Sequence, residues 1–436
     1  MNPSGQDNLL GTANVKTLLR QLAIPAITAQ VVNVLYNVVD RMYIGHIPDI
    51  GALALTGVGV CMPIIMLITA FAALVSMGSA PRASVLMGRS DNEEAHYTLG
   101  NSFIMLIIIA LVLTVFFRRF AEPILMAFGA SENTIGYAMD YMRIYTLGTI
   151  FVQFALGLNA FITAQGFAKI SMATVVIGAV INIVLDPIFI FGFHMGVKGA
   201  ALATILSQAV SAIWVLRFLT GKKTILKLQK KYFRLRGSVV GPCLLLGMSP
   251  FIMQATESAI SVCFNSSLYR YGGDIAVGAM SILTSIMQFS MLPLQGFTQG
   301  AQPITGYNFG AGNADRVRQT FRLLLRYCLT YSLILWAICM VVPRLIPSMF
   351  TGDEQLLTYT AWALRHYMAL SGIFGIQIAC QQTFIAIGNA KTSLFLAVYR
   401  KIILLIPLIY ILPAILEQKD RAVFLAEPVA DLIAVT

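Results

Sequence analysis

The sequence predicts an all-α integral membrane protein, with twelve transmembrane helices in two six-helix lobes related by a pseudo-two-fold axis along the membrane normal. Three observations predict it. The chain is 58% hydrophobic and only 11% charged, where soluble domains carry about 25% charged residues. Its apolar residues gather into runs of the roughly 20 residues that a bilayer crossing requires. The chain also repeats itself at a nearly constant offset.

Taken in order, hydropathy and helix breakers place spans at 16–43, 51–78, 97–118, 132–165, 170–192 and 199–219. Six more follow at 240–271, 275–302, 318–342, 355–387, 392–415 and from about 422. The first fifteen residues are polar and no small-residue cleavage site precedes the first span, so no secretory signal is read. A helix over 422–436 is about 22 Å long at 1.5 Å per residue, short of a hydrocarbon core of about 30 Å. A truncated C-terminus is the expectation there.

The net charge is +11, which raises a nucleic-acid partner, but the distribution of charge argues against one. The densest basic run, KKTILKLQKKYFRLR (222–236), lies between two apolar spans, as a cytoplasmic loop does under the positive-inside rule. With the N-terminus inside, most Lys and Arg fall on that side, among them Lys16, Arg20, Arg82, Arg89, Lys391, Arg400 and Lys401. The expectation is a multi-pass protein of the inner cell membrane with both termini cytoplasmic. The cysteines, at 61, 243, 263, 328, 339 and 380, sit in apolar segments without CxxC spacing; they read as packing thiols, neither a disulfide framework nor a zinc site.

At an offset of 222, Gly78 and Pro81 match Gly300 and Pro303, Gly88 matches Gly310, and Arg143 and Tyr145 match Arg365 and Tyr367. Before residue 78 the offset is 225, pairing Pro25 with Pro250. This divides the chain into an amino-terminal lobe (1–220), a basic linker (221–237) and a carboxy-terminal lobe (238–436). Six spans per repeat is an even number, so both lobes cross the membrane in the same sense, as in parallel-repeat transporters. The lobes differ in their acids: Asp40 falls on Asn265 and Asp186 on Leu408. The two aspartates are therefore not needed to build a lobe.

A carboxylate near the middle of a bilayer costs about 2.5–3.5 kcal/mol on insertion scales, so it needs a partner, a proton or a cation. Asn182 and Asp186 are four apart in an apolar helix, as are Tyr36 and Asp40 in the first, which stacks each pair on one helix face. Asn159 and Thr204 are further candidate oxygen ligands. Two carboxylates in one low-dielectric pocket share a proton or are bridged by a cation. An oxygen-only set suits a hard cation such as Na⁺, with Asp40, Asp186, Asn182 and Thr204 as its ligands. The alternative is that Asp40 pairs with Arg41 and Asp186 caps a helix end. Pro25 removes a backbone hydrogen bond about four turns before Asp40 and marks a hinge. Glu257 is the one acid deep within a carboxy-terminal span and a candidate cavity residue, to attract cationic substrate or serve as a second coupling group. The alternative for it is a structural pairing inside the bundle. Glu427 and Asp431 are expected in the solvated outer part of the last helix. Gln254, Met287, Gln288, Met291 and Gln377 are expected to line a substrate cavity, since Met walls with a few amides suit varied amphipathic ligands.

Two enzyme readings fail. Aspartyl intramembrane proteases carry YD and GxGD, but the contexts here are VVD and VLDP. The glycines of NFGAGNAD (308–315) follow no strand and lack the P-loop lysine.

The stretches LAIPAITAQVVNVLYNVVDRMYIG (22–45), NIVLDPIFIFG (182–192) and QGFTQGAQPITGYNFGAGNADRVRQ (295–319) resemble the multidrug and toxic compound extrusion (MATE) family, in its bacterial MepA-like branch. RKIILLIPLIYILP (400–413) and FLAEPVADLI (424–433) extend the likeness to the end. The resemblance implies two lobes around a cavity that opens alternately to each side. It also implies an amino-lobe ion site at Tyr36, Asp40, Asn159, Asn182, Asp186 and Thr204, with Pro25 as the bending proline. Glu257 matches a glutamate of the NorM-like branch, but that branch's tenth-helix aspartate has no counterpart within 369–387. The expected function is efflux of amphipathic, mostly cationic small molecules by antiport with H⁺ or Na⁺. The protein is expected to act as a monomer in the lipid bilayer, with no cofactor and no nucleic-acid partner. The alternative is a flippase for a lipid-linked precursor, whose cavity would present basic residues to pyrophosphate.

Overall fold

The computed structural model describes residues 9–435, whose regular elements are all helical, with no strand among them. Helix α1 (Val15–Gly45) starts where the Asn14 side chain accepts hydrogen bonds from the backbone amides of Lys16 and Thr17, at 3.0 and 3.3 Å. It runs through Pro25 without interruption. Helices α2 (Gly51–Gly88) and α3 (Asn92–Ala127) follow, the second capped by the Asp91 carboxylate on the Glu94 amide. The fourth span is broken: α4 (Ile135–Leu147) meets α5 (Thr149–Gly157) and α6 (Asn159–Ala164) at 59°. Helix α7 (Ala168–Pro187) unwinds at its end into a π-helical turn over Ile188–Gly192, and α8 (Val197–Thr220) closes the lobe.

The second lobe opens with α9 (Gly237–Gly310), which is two spans, because Gly273 at φ 66°, ψ −160° breaks the helix where only glycine sits without strain. Then come α10 (Ala314–Val341) and a second broken span, α11 (Glu354–Tyr367) with α12 (Ser371–Ala386), bent by 50°. Helix α13 (Ala390–Val398) continues through a π-helical segment, Tyr399–Leu405, into α14 (Ile406–Ile415). Helices α15 (Lys419–Phe424) and α16 (Ala426–Val435) end the described chain. Among the described residues eight helices are long and apolar enough to span alone, and the two bent pairs bring the number to ten. The break at Gly273 divides one of them, and α15 with α16 fills the place of the twelfth.

The lobes meet where α1 and α2 pack on α9. Leu18, Leu19 and Leu22 of α1 share one buried core with Leu294, Ile304 and Phe374 of the other lobe. The linker docks on the first lobe at the same end of the bundle. The Asn101 carboxamide accepts from the Arg236 amide at 2.7 Å and donates to the carbonyl of Arg234, while Gln165 Oε1 accepts from the amides of Ile225 and Leu226. All six cysteines are free thiols.

Two expectations about charge are corrected. Arg400 and Lys401 are not at an inside helix end but buried, 3% and 6% exposed. Glu427 and Asp431 are not solvated but 4% and 3% exposed, because the last helix turns that face into the lobe.

Candidate functional site

The first and fifth spans of the amino-terminal lobe, α1 and α7, pack along one another. Asp40 lies in the last third of α1, and Asp186 is the penultimate residue of α7, before Pro187. The π turn that follows Pro187 widens the helix where the carboxylate sits, as such turns often do at functional sites. Asp186 is fully buried and Asn182 is 1% exposed. One turn back on the same face, Asn182 Nδ2 donates to Asp186 Oδ1 at 3.2 Å. The Asp40 and Asp186 carboxyl groups lie close enough for each to act on the other, with Tyr36 near both. Thr204 on α8 lies near Tyr141, which itself is near Asp40.

Three buried oxygens of this group have no hydrogen-bond partner: Asp40 Oδ1, Asp186 Oδ2 and Asn182 Oδ1. Among the described residues neither aspartate has a Lys, Arg or His in ion-pair contact, and Arg41 is exposed. Asp186 therefore does not cap a solvated helix end, and Asp40 makes no ion pair with its neighbour Arg41. Orphaned acceptors facing one another are a donor set for a proton or a hard cation. Asn159 takes no part in these hydrogen bonds. It donates to the Ser171 carbonyl and accepts from Thr174 at 3.1 Å, earlier along α7.

Sequence reading missed Tyr141 and Tyr145. Both are 4% exposed, and their rings stack at 5.8 Å between centroids. Their four-residue spacing on α4 was the available signal.

Of the expected cavity residues, Gln254 and Gln288 are exposed and Glu257 keeps 55% of its side-chain exposure. Met287 and Met291 are half-buried against the cores. Gln377 is buried within its lobe. Pro25 borders a cavity of about 330 Å³ together with Thr17, Arg20, Gln21, Ile24 and Lys169.

A second charged group was not foreseen. Arg400 donates to Glu427 Oε1 at 2.8 Å and to Asp431 Oδ1 at 2.7 Å, and Lys401 Nζ donates to Glu257 Oε1 at 2.6 Å. The four-residue spacing of Glu427 and Asp431 was a signal for it, but RK at the head of an apolar run reads equally as an interface anchor.

The family profile described as MatE matches residues 25–188 and 250–411. Multidrug export protein MepA of Staphylococcus haemolyticus (strain JCSC1435) is 26% identical over 401 residues, covering 90% of this chain and 86% of its own length. MepA of Staphylococcus aureus (strain NCTC 8325 / PS 47) is 23% identical, covering 91% and 87%. The fold is similar to a crystal structure of MATE in the bent conformation, with a TM-score of 0.92 and 23% identity over 99% of this chain and 95% of that one. An outward-facing multidrug resistance MATE family transporter of the MOP superfamily gives a TM-score of 0.90 at 23% identity, covering 98% and 95%.

Proposed function

The chain belongs to the MATE family of membrane transporters, and from that premise we propose that it is a cation-coupled antiporter that exports amphipathic, mostly cationic compounds. The observation that carries the reading is the Asp40–Asp186 pair: two carboxyls from different helices, close together, with unpartnered oxygens and no basic side chain in ion-pair contact among the described residues. A pair of this kind has to bind something positive and mobile, either H⁺ or Na⁺, held by Asp40, Asp186, Asn182 and Thr204 with Tyr36 alongside. Neutralising the pair removes its mutual repulsion and lets α1 close on α7. Pro25, which leaves one carbonyl of α1 without its helical donor, is the place for that helix to bend. Export by alternating access then follows from a site reachable from one side at a time, in the inner membrane with both termini cytoplasmic. Asn159 belongs to this proposal only through Thr174 and the packing of α7.

One charge moving through 100 mV releases about 2.3 kcal/mol, roughly a 50-fold gradient at 1.36 kcal/mol per decade. One-for-one exchange of monovalent cations moves no net charge and gains nothing from voltage. Two carboxyls in one site allow more than one cation per exported molecule. The flippase alternative is weakened by the second charged group, since Arg400 and Lys401, the bases buried in the second lobe among the described residues, are already bound to carboxylates.

The test is efflux of a fluorescent lipophilic cation from proteoliposomes under separate Na⁺ and proton gradients. Asp40→Asn and Asp186→Asn should each abolish the response to whichever gradient drives the wild type. Undiminished efflux in the double variant would end the proposal.

A further inference from the structure

The first and fifth spans of each lobe are equivalent in the repeat, and each pair holds ionisable groups that face one another. In the first lobe these are two carboxyls, Asp40 and Asp186. In the second they are a carboxylate and an ammonium, Glu257 and Lys401, at 2.6 Å. The depth differs. By the repeat offsets Glu257 corresponds to Val32 and Lys401 to Ala179, each about 10–12 Å along its helix from the aspartate of the first lobe at 1.5 Å per residue.

We propose that Lys401 is a tethered cation standing in for a mobile one at Glu257, so that the second lobe keeps its carboxylate compensated while cations enter and leave only at Asp40 and Asp186. The last clause rests on the antiport reading; the assignment of Lys401 does not. Three features support it. The Lys401 side chain is 8% exposed, and Glu257 is its only ion-pair partner among the described residues. The backbone beneath it is pinned, because the neighbouring Arg400 spans Glu427 and Asp431 and stacks 5.0 Å from the Phe374 ring. Within the π-helical segment Tyr399–Leu405, these two consecutive bases are both buried yet reach acids on different helices. Glu257, by contrast, keeps 55% of its exposure. A carboxylate that open cannot face hydrocarbon at this depth, so its free flank borders the cleft between the lobes. A monovalent cation arriving there would find the site already filled.

The test uses full-length protein in lipid nanodiscs at neutral pH, treated with dicyclohexylcarbodiimide, which modifies protonated carboxyls within membranes. Peptide mass spectrometry reads Glu257 and Asp186 in the same molecule. In the wild type Asp186 should react and Glu257 should not. In Lys401→Met, Glu257 should react about tenfold faster or more, the fold-change that goes with losing the one charge-assisted hydrogen bond that occupies its Oε1 at 2.6 Å. Lys401→Arg should restore protection. Na⁺ or methylammonium should slow modification of Glu257 in Lys401→Met, and whichever protects identifies the cation the opened site accepts. The same contrast should persist in Asp40→Asn/Asp186→Asn, so failure of the first-lobe reading leaves this one separately decided. Equal reactivity of Glu257 with and without the lysine, in variants of unchanged melting temperature, would overturn it. So would rapid modification of Glu257 in the wild type, a result that needs no variant to fold.

Discussion

Gly88 lies so close to the backbone of Tyr307 that a Cβ on it would fall 1.9 Å from the Tyr307 carbonyl oxygen, and Gly310 stands in the same relation to Val85. At the repeat offset of 222, Gly88 matches Gly310 and Val85 matches Tyr307. One contact is therefore the other turned about the pseudo-two-fold axis. Small residues let helices of different lobes touch backbone to backbone, here at the end of the bundle that carries the linker.

Enlarging either glycine should pry that end apart. Overpacking costs about 1–3 kcal/mol, a shift of about 5- to 150-fold toward the state in which the two helix ends separate. The reporter is native Cys243, fully buried against Gly78 on the same interlobe seam, about 15 Å along α2 from Gly88 at 1.5 Å per residue. Its maleimide labelling should accelerate by about that factor in Gly88→Leu and Gly310→Leu. Unchanged labelling in folded variants would show that this end does not open.

Asn182 holds Asp186 through one hydrogen bond at 3.2 Å. A hydrogen bond to a charged group contributes about 1.5–3 kcal/mol. Asn182→Leu should change the concentration of Na⁺ or H⁺ that half-drives efflux by about 10- to 150-fold, with expression and melting temperature kept. A change in melting temperature alone would make Asn182 a packing residue.

Removing Arg400 should be among the most damaging single changes in the second lobe. Deleting one partner of a buried ion pair costs about 3–5 kcal/mol, and Arg400→Met would strand both Glu427 and Asp431. Size-exclusion profiles and thermal unfolding should show a destabilised or aggregated protein. The triple variant Arg400→Met/Glu427→Gln/Asp431→Asn should recover most of the loss, since it buries no uncompensated charge.

Arg316 reaches across to the start of the chain. It donates to the carbonyls of Leu10 and Ala13 at 3.1 and 2.8 Å and to Asn308 Oδ1 at 3.0 Å, while Asn308 itself donates to Leu10. Arg316→Ala should free the segment around residues 9–13 and speed its amide hydrogen exchange about tenfold or more, because each charged hydrogen bond contributes about 1.5–3 kcal/mol. Exchange at wild-type rates would mean that burial of Leu10 alone secures the segment.

Voltage offers a further measurement. If two cations enter per exported monovalent cation, collapsing the membrane potential at a fixed ion gradient should slow efflux. One-for-one exchange should be indifferent to it.

Much of this was legible in the chain. The spans and the duplication follow from apolar runs and matched glycines and prolines, and Asp40, Asn182 and Asp186 stood out because a polar group in an apolar helix is costly wherever the helix packs. Spacing along a helix also placed Asn182 under Asp186 correctly, since i and i+4 share a face whatever surrounds them. What could not be read was which helix face turns inward. The same four-residue spacing at Glu427 and Asp431 looked like solvated surface, and Arg400 and Lys401 looked like interface anchors. Only the packing of the last helix against the π-helical segment brings these groups together.

Sequence by itself therefore determined the class of protein, its twofold plan and the lobe that carries uncompensated acid, because those depend on composition and local period. Tertiary structure decided that Asp40 meets Asp186, that Asn159 serves a neighbouring turn, and that the second lobe answers its own carboxylates with its own bases. Those outcomes depend on the rotation and depth of helices far apart in the chain, set by the packing of every helix around them.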